Sequence, residues 1–366
     1  MLPEPSSDAL TVSNALLSQI MAEIKAKGPI TFARYMEMAL YAPQLGYYRN
    51  GQQKFGRTGD FVTAPEMSPL FSYCVASHCL KIFNTLPASE VKDILEFGAG
   101  SGVMAADILI FLKERRALPA HYFILELSAE LKSRQREVIL SKIPEEIDRV
   151  IWLKKLPEAP IVGVVLANEV LDAMPVNLLQ LENNQLAEKQ VGYDKKNGLY
   201  FVSGKPTIAV DKNILDYITS SSPLYPYVIE IKRQLPAWIN MLSTLLKAGS
   251  VVIIDYGFLQ HEYYHPDRHM GTLMCHYRHQ AHFNPFFYPG LQDITAHVDF
   301  TVVGKAAEIG GFSVEFMNQA NFLINGGLLD FISAADHPTQ VIQQLISPNE
   351  MGELFKVMLF SKNLSR

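Results

Sequence analysis

From residue 91 to residue 167 the chain sets short apolar blocks against longer, helically periodic stretches. The blocks lie near 93–97, 122–126, 150–153 and 161–167, and Val103 to Leu112 between the first two has the look of a helix. Apolar runs this short, bounded by turn residues, read as strands buried on both faces. A fifth such run comes only at Ser250 to Ile254, and Phe312 to Met317 and Phe355 to Phe360 can supply two more. Strands alternating with helices predict an α/β fold: a Rossmann-like, mostly parallel seven-stranded sheet with helices on both faces.

Residues 12–41 read as helical, with Leu16, Leu17, Ile20 and Ile24 at helical spacing, then Gly28-Pro29 and a second helix from Thr31 to Leu40. Tyr41 to Glu66, rich in glycine and aromatics, reads as an ordered loop, and Pro69 to Phe83 as a helix. The gap between the fourth and fifth strands is too long for one crossover. Val176 to Leu181, Gln190 to Tyr193 and Leu199 to Val202 are strand-like, with turns at Asn183-Asn184 and Lys196-Asn197-Gly198. They predict a small antiparallel insertion that carries substrate specificity. The expected division is an N-terminal helical cap and cofactor lid over 1–90, and a first half of the main domain over 91–173. The insertion covers 174–236, and the second half covers 237–366 with a long His- and aromatic-rich loop over 257–299.

Composition narrows the function classes. The 366 residues suit one large or two modest domains, and 48% hydrophobic content is ample for a core. A net charge of −5 does not indicate a nucleic-acid-binding surface. Three cysteines (Cys74, Cys79 and Cys275), without Cys-x-x-Cys spacing, argue for a reducing compartment and against a disulfide frame. Met1 to Leu10 carries two acids and no Lys or Arg, unlike a secretory or transit signal. No apolar run approaches roughly 18 residues, so no membrane span is expected. The resulting expectation is a cytoplasmic protein of unknown oligomeric state.

The first strand runs into Glu96-Phe97-Gly98-Ala99-Gly100-Ser101-Gly102 and then a helix. Alternating glycines let a backbone pass close beneath a ligand, and a helix N-terminus favours negative or polar groups. The dinucleotide pattern fails from Gly98 but passes from Gly100, ending on Ala105, so an NAD reading survives. The acid-x-Gly-x-Gly-x-Gly pattern of methyltransferases is filled at every place. Glu96 decides between them, because S-adenosylmethionine brings an ammonium and a sulfonium where NAD brings a pyrophosphate. Glu126 ends the next strand, where a carboxylate can accept bonds from both ribose hydroxyls.

Asn168-Glu169-Val170-Leu171-Asp172 follows the fourth strand, with Asn168 on the cofactor side. A helical turn starting there would place Glu169 and Asp172 at i and i+3 on one face, as a pair for a substrate cation or as simple helix-capping acids. A DNA adenine methyltransferase would show Asn-Pro-Pro-Tyr at this point. Gly59, Asp60 and Thr63 belong to a glycine turn that either folds over the cofactor or merely anchors Phe61. Asp293 and His297, four apart, would share a helix face, with His297 as general base, as substrate donor, or as a structural partner of Asp293. His261-Glu262-Tyr263-Tyr264-His265 satisfies a zinc-protease expression, but Pro266 cuts off the helix that motif needs, so no metal is expected.

An ordered set of segments resembles the MidA family of class I methyltransferases, from about Gly28 to Phe300 and into the last strands. Its pieces are Gly46-Tyr47-Tyr48, the run Phe55 to Glu66, the glycine turn and Asn168 to Pro175. Asp255-Tyr256-Gly257, Gly271-Thr272-Leu273 and Asp293 to Phe300 complete the set. Where family members often show an Arg after Gly-Thr-Leu, this chain has Met274-Cys275-His276. The resemblance implies a class I methyltransferase fold, S-adenosylmethionine as cofactor, and methylation of an arginine on a client protein. For mitochondrial members, which are complex I assembly factors, that client is a respiratory-complex subunit. Glu169 and Asp172 would then clamp a guanidinium beside the methyl donor. A small-molecule methyltransferase, or a cofactor-binding assembly factor with little turnover, remains open from sequence.

Overall fold

Ser6 accepts the Ala9 amide to open α1 (Ser7–Lys27), and Gly28, at a φ of 82°, closes it. A two-residue strand β1 (Ile30–Thr31) leads into α2 (Phe32–Tyr41), capped by the Thr31 side chain. After α3 (Ala64–Met67) comes α4 (Pro69–Thr85), whose proline sits in the first turn, where a missing N–H costs nothing. The computed structural model describes residues 2–51, 63–221, 225–334 and 338–364.

The main sheet follows the predicted blocks closely. β2 (Asp93–Phe97), α5 (Val103–Glu114), β3 (Tyr122–Leu125), α6 (Ala129–Lys142), β4 (Val150–Leu153) and β5 (Ile161–Asn168) succeed one another. The insertion then forms β6 (Asn177–Glu182), β7 (Gln185–Asp194), β8 (Gly198–Gly204), α7 (Lys212–Ser220) and β9 (Tyr227–Ile231). After α8 (Leu235–Leu245) the chain re-enters the main sheet as β10 (Leu246–Phe258). The antiparallel insertion is present but larger than expected. It has a fourth strand, β9, and recruits β1 through the pairs Ile30–Val191 and Thr31–Gln190.

The stretch 257–299 is not a long loop. β10 runs to Phe258, and α9 (Gln260–Tyr263) follows. Then β11 (Met274–Tyr277), β12 (Gln280–His282) and β13 (Asp293–Thr295) pair as a three-stranded sheet, and β14 (Val298–Asp299) pairs with the end of β10. Helix α10 (Phe300–Ile309) and β15 (Ser313–Asn318) come next. The short helices α11 (Gln319–Asn325), α12 (Leu328–Ala334), α13 (Thr339–Ile346) and α14 (Met351–Leu354) precede β16 (Phe355–Lys362).

The main sheet has the order β15-β16-β10-β5-β2-β3-β4, with the five strands from β10 to β4 parallel, β16 reversed beside β10, and the edge strand β15 running antiparallel to β16 and so in the direction of β10. Side chains of a strand alternate between faces, and both faces here are covered. On β5, Val162, Val164 and Leu166 join the cluster under α4 and α5, while Ile161, Val165 and Ala167 join the cluster under α8 and α10. Each such buried aliphatic contributes about 1.5–3 kcal/mol relative to exposure. That two-sided burial explains why the strands read as unbroken apolar blocks. Among the described residues, no helix is long and apolar enough to cross a membrane.

Candidate active site

The chain leaves β2 towards β3 and β4, then returns to lay β5 on the other side of β2. Doubly wound folds bind ligands in the crevice outside the carboxyl ends of the strands at such a reversal. A cavity of about 640 Å3 lies there, within the ~300–1,000 Å3 usual for small-molecule sites.

At one end is the glycine turn. Gly98 and Gly100 line the cavity with φ of 60° and 53°, a left-handed backbone that side chains disfavour. Gly102 is not among the residues that line it. A Cβ there would stand 2.8 Å from the Gln135 backbone, so this glycine serves the packing of the α5 start against α6. Glu96 is buried, accepts the Tyr122 hydroxyl at 2.7 Å and lines the cavity. Burial pushes its carboxyl up to about 7, against the pull of the Tyr122 bond, and the charge of Glu126 adds to the rise. Such a carboxyl suits a cationic neighbour, which would restore its charge.

Glu126 is held at both oxygens, one accepting the Ser128 amide at 2.8 Å and the other the Gln135 side-chain amide at 2.9 Å. Gln135 also donates to the Gly100 carbonyl at 3.0 Å and accepts the Trp152 indole N–H at 3.0 Å. It thus ties the glycine turn to Glu126, a role that sequence reading missed because nothing about a glutamine inside α6 announces it. Thr63 lines the cavity, and Glu66 accepts the Ser101 hydroxyl. Gly59 and Asp60 lie outside the described residues. Asn168 donates to Glu169 at 3.2 Å, and its Oδ1 is buried with no partner among the described residues, an acceptor left for a ligand donor.

The other end is acidic and aromatic. Glu169, Asp172 and Asp293 line it with Tyr41, Tyr48, Tyr256 and His297. The expected helical turn at Glu169 is absent. Glu169 has a φ of 51°, and the amides of Leu171 and Asp172 donate to Asp255 Oδ2 at 2.9 and 3.2 Å, so the chain makes an irregular turn around that carboxylate. The two acids still face one cavity. Burial pushes the Glu169 carboxyl up to about 8, with Asp172 and Asp293 adding like charge. Asp172 accepts the Tyr256 hydroxyl at 2.5 Å and its carboxyl is also raised by burial.

Asp293 and His297 do not share a helix face either. Asp293 opens β13 and accepts the Tyr48 hydroxyl at 2.9 Å, while His297 lies in the bend between β13 and β14. The His297 Nδ1 is buried without a partner among the described residues, and burial holds the ring down to about 4. The imidazole is therefore neutral at ordinary pH. The His261–His265 segment forms only the short α9 and a following bend, with Tyr263 and Tyr264 turned into the core.

The residues present fit S-adenosyl-L-methionine: a glycine cradle, a buried carboxyl awaiting a cation, an acid held on both sides at the next strand end, and an unpartnered amide oxygen. Fold and site together define a methyltransferase that uses this cofactor. The family model described as "Putative S-adenosyl-L-methionine-dependent methyltransferase" matches residues 74–317, and the chain belongs to that family. A crystal structure of a Burkholderia thailandensis protein bound to S-adenosyl-homocysteine is 42% identical, with a TM-score of 0.93, covering 100% of this chain and 96% of that one. Among curated relatives, the mitochondrial protein arginine methyltransferase NDUFAF7 homolog of Drosophila melanogaster is 28% identical over 84% of this chain and 74% of its own. The mitochondrial protein arginine methyltransferase NDUFAF7 of Danio rerio is 26% identical over 96% and 88%.

Proposed function

We propose that this methyltransferase modifies an arginine side chain of a client protein. The acidic, aromatic far end of the cavity carries this reading. Six carboxyls (Glu66, Glu96, Glu126, Glu169, Asp172 and Asp293) line the cavity, against Arg49 as the one Lys or Arg among its described lining residues. Tyr41 and Tyr48 stack at 5.6 Å beside those acids. Carboxyls with aromatic faces suit a planar, weakly hydrated guanidinium. The names of the curated relatives agree with this reading at low identity.

When bound, the cofactor supplies an already activated methyl group for in-line transfer to a nucleophile. The chain's own work is mostly positioning. Glu96 would hold the cofactor's cationic part and Glu126 the ribose hydroxyls, Gly98 and Gly100 would permit close approach, and Asn168 and Thr63 would offer further hydrogen bonds. Glu169, which among the described residues accepts only from its neighbour Asn168, is the less constrained arm of the guanidinium clamp. Asp172, fixed by Tyr256 and the Ala173 amide, is the rigid arm. A guanidinium is not deprotonated in advance at a pKa above ~12; its charge, once bound, would offset the burial and like charge that keep Glu169 protonated, and the resulting carboxylate would take the nitrogen's proton as the methyl passes to it.

The test is transfer from tritiated S-adenosylmethionine into a protein extract of cells lacking this gene, followed by hydrolysis and amino-acid analysis. Label in methylarginine is expected. Label in another amino acid, or only in the low-mass fraction, overturns the arginine assignment.

A further inference from the structure

Lys232 directly follows β9 and so belongs to the insertion rather than to the sheet that carries the cavity. It is 7% exposed, and its Nζ donates to three main-chain carbonyls: Asp172 at 3.3 Å, Ala296 at 2.7 Å and His297 at 3.2 Å. Three bonds exhaust the donors of an ammonium. The carbonyls come from two segments far apart in sequence, the turn after β5 and the bend before β14. Each carries a cavity-lining side chain, Asp172 on one and His297 on the other.

Glu230, two residues earlier and within β9, repeats the pattern with opposite charge. It is 4% exposed and accepts the amides of Thr272 and Leu273 at 2.9 and 2.8 Å, and Thr272 in turn accepts the His297 amide at 2.9 Å. The end of β9 therefore grips both site segments from behind.

We propose that Lys232 is a positioning residue for methyl transfer, fixing Asp172 and His297 relative to each other on the cavity wall and supplying the positive field they share. A neutral donor would suffice to join two loops, and a buried ammonium is costly to desolvate. Its charge faces Asp172 on the β5 turn, Glu230 on β9 and Asp255 on β10. It also helps Arg268 keep the His297 ring neutral, after burial itself.

The test compares K232M and K232A with the parent protein by S-adenosylhomocysteine calorimetry, total tritium transfer to extract protein, and NMR titration of His297. Total transfer is read whatever residue receives the label, so failure of the arginine reading leaves this test intact. Both variants should keep cofactor-product affinity while transfer falls about tenfold or more, as for a lost charged hydrogen bond. The His297 ring should titrate at higher pH, and millimolar methylammonium should restore part of the K232A rate. The proposal is overturned by parent-like transfer in K232M, or by an unmoved His297 titration. Loss of cofactor-product binding in both variants also overturns it, because Lys232 would then hold up the cavity as a whole. Methylammonium without effect on a K232A that still binds would do the same.

Discussion

The Tyr256 hydroxyl stands 2.5 Å from Asp172 Oδ2, joining the end of β10 to the turn after β5. These are the two neighbouring strands whose ends carry the acidic part of the cavity. The bond fixes one arm of the proposed clamp, since the other Asp172 oxygen accepts the Ala173 amide. Hydrogen bonds to a charged group are worth about 1.5–3 kcal/mol. Tyr256→Phe should therefore lower transfer by roughly ten- to a hundredfold. S-adenosylhomocysteine affinity, read by calorimetry, should stay unchanged. An equal loss in both would move Tyr256 from the clamp to the cofactor site.

Glu169 is held up to about 8 by burial and by Asp172 and Asp293. The folded state thus keeps a proton that the unfolded chain has lost above its usual ~4.3. Stability contributed at acid pH is lost as pH rises through that window to about 8. Glu169→Gln removes the ionisation, so it should raise the melting temperature more at pH 9 than at pH 5. The same variant should bind S-adenosylhomocysteine and fail to transfer methyl. A pH-independent change in melting temperature would show that this carboxyl ionises normally.

Glu96, raised to about 7, would meet a sulfonium in the substrate form of the cofactor and a neutral sulfur in its product if it takes the cofactor's cationic part, as proposed. As pH rises past 7 the carboxylate forms and attraction to the cation grows. Preference for S-adenosylmethionine over S-adenosylhomocysteine should therefore increase between pH 6 and 8.5, by about tenfold per unit of pKa shift relieved. Paired calorimetric titrations measure it. Glu96→Gln should flatten the dependence, and a flat profile in the parent protein would place the sulfonium elsewhere.

Gly102→Ala puts a methyl 2.8 Å from the Gln135 backbone at a φ of 88°. A left-handed non-glycine residue costs about 1–2 kcal/mol, and overpacking adds about 1–3. Thermal unfolding should show a clear loss, with weaker S-adenosylhomocysteine binding because Gln135 holds Glu126. Gln135→Ala should weaken the same binding by about tenfold with a smaller loss of stability. Full affinity in Gln135→Ala would mean that Glu126 needs no such support.

The sheet and the glycine turn were legible because their causes are local. Strands buried on both faces must be apolar throughout, and a backbone passing under a ligand needs glycine at fixed spacing. The turn after β5 was misread for a non-local reason. Asp255 Oδ2, more than eighty residues away, captures the Leu171 and Asp172 amides and bends the chain around itself, where the local spacing had suggested a helical turn. The 257–299 segment misled similarly, since the strands of its small sheet are only three or four residues long, too short to show a period.

By itself the sequence determined the layered fold and the identity of the cofactor, because those depend on residue type and nearby spacing. Only the tertiary structure decided that Gly102 serves packing and that Gln135 steadies Glu126. It alone shows Tyr256 locking Asp172 and the insertion reaching back through Lys232 and Glu230 to grip both site segments. Those relations join residues far apart in the chain through burial and hydrogen bonding. No local pattern records them, because a buried polar group must find its partner in space rather than in sequence.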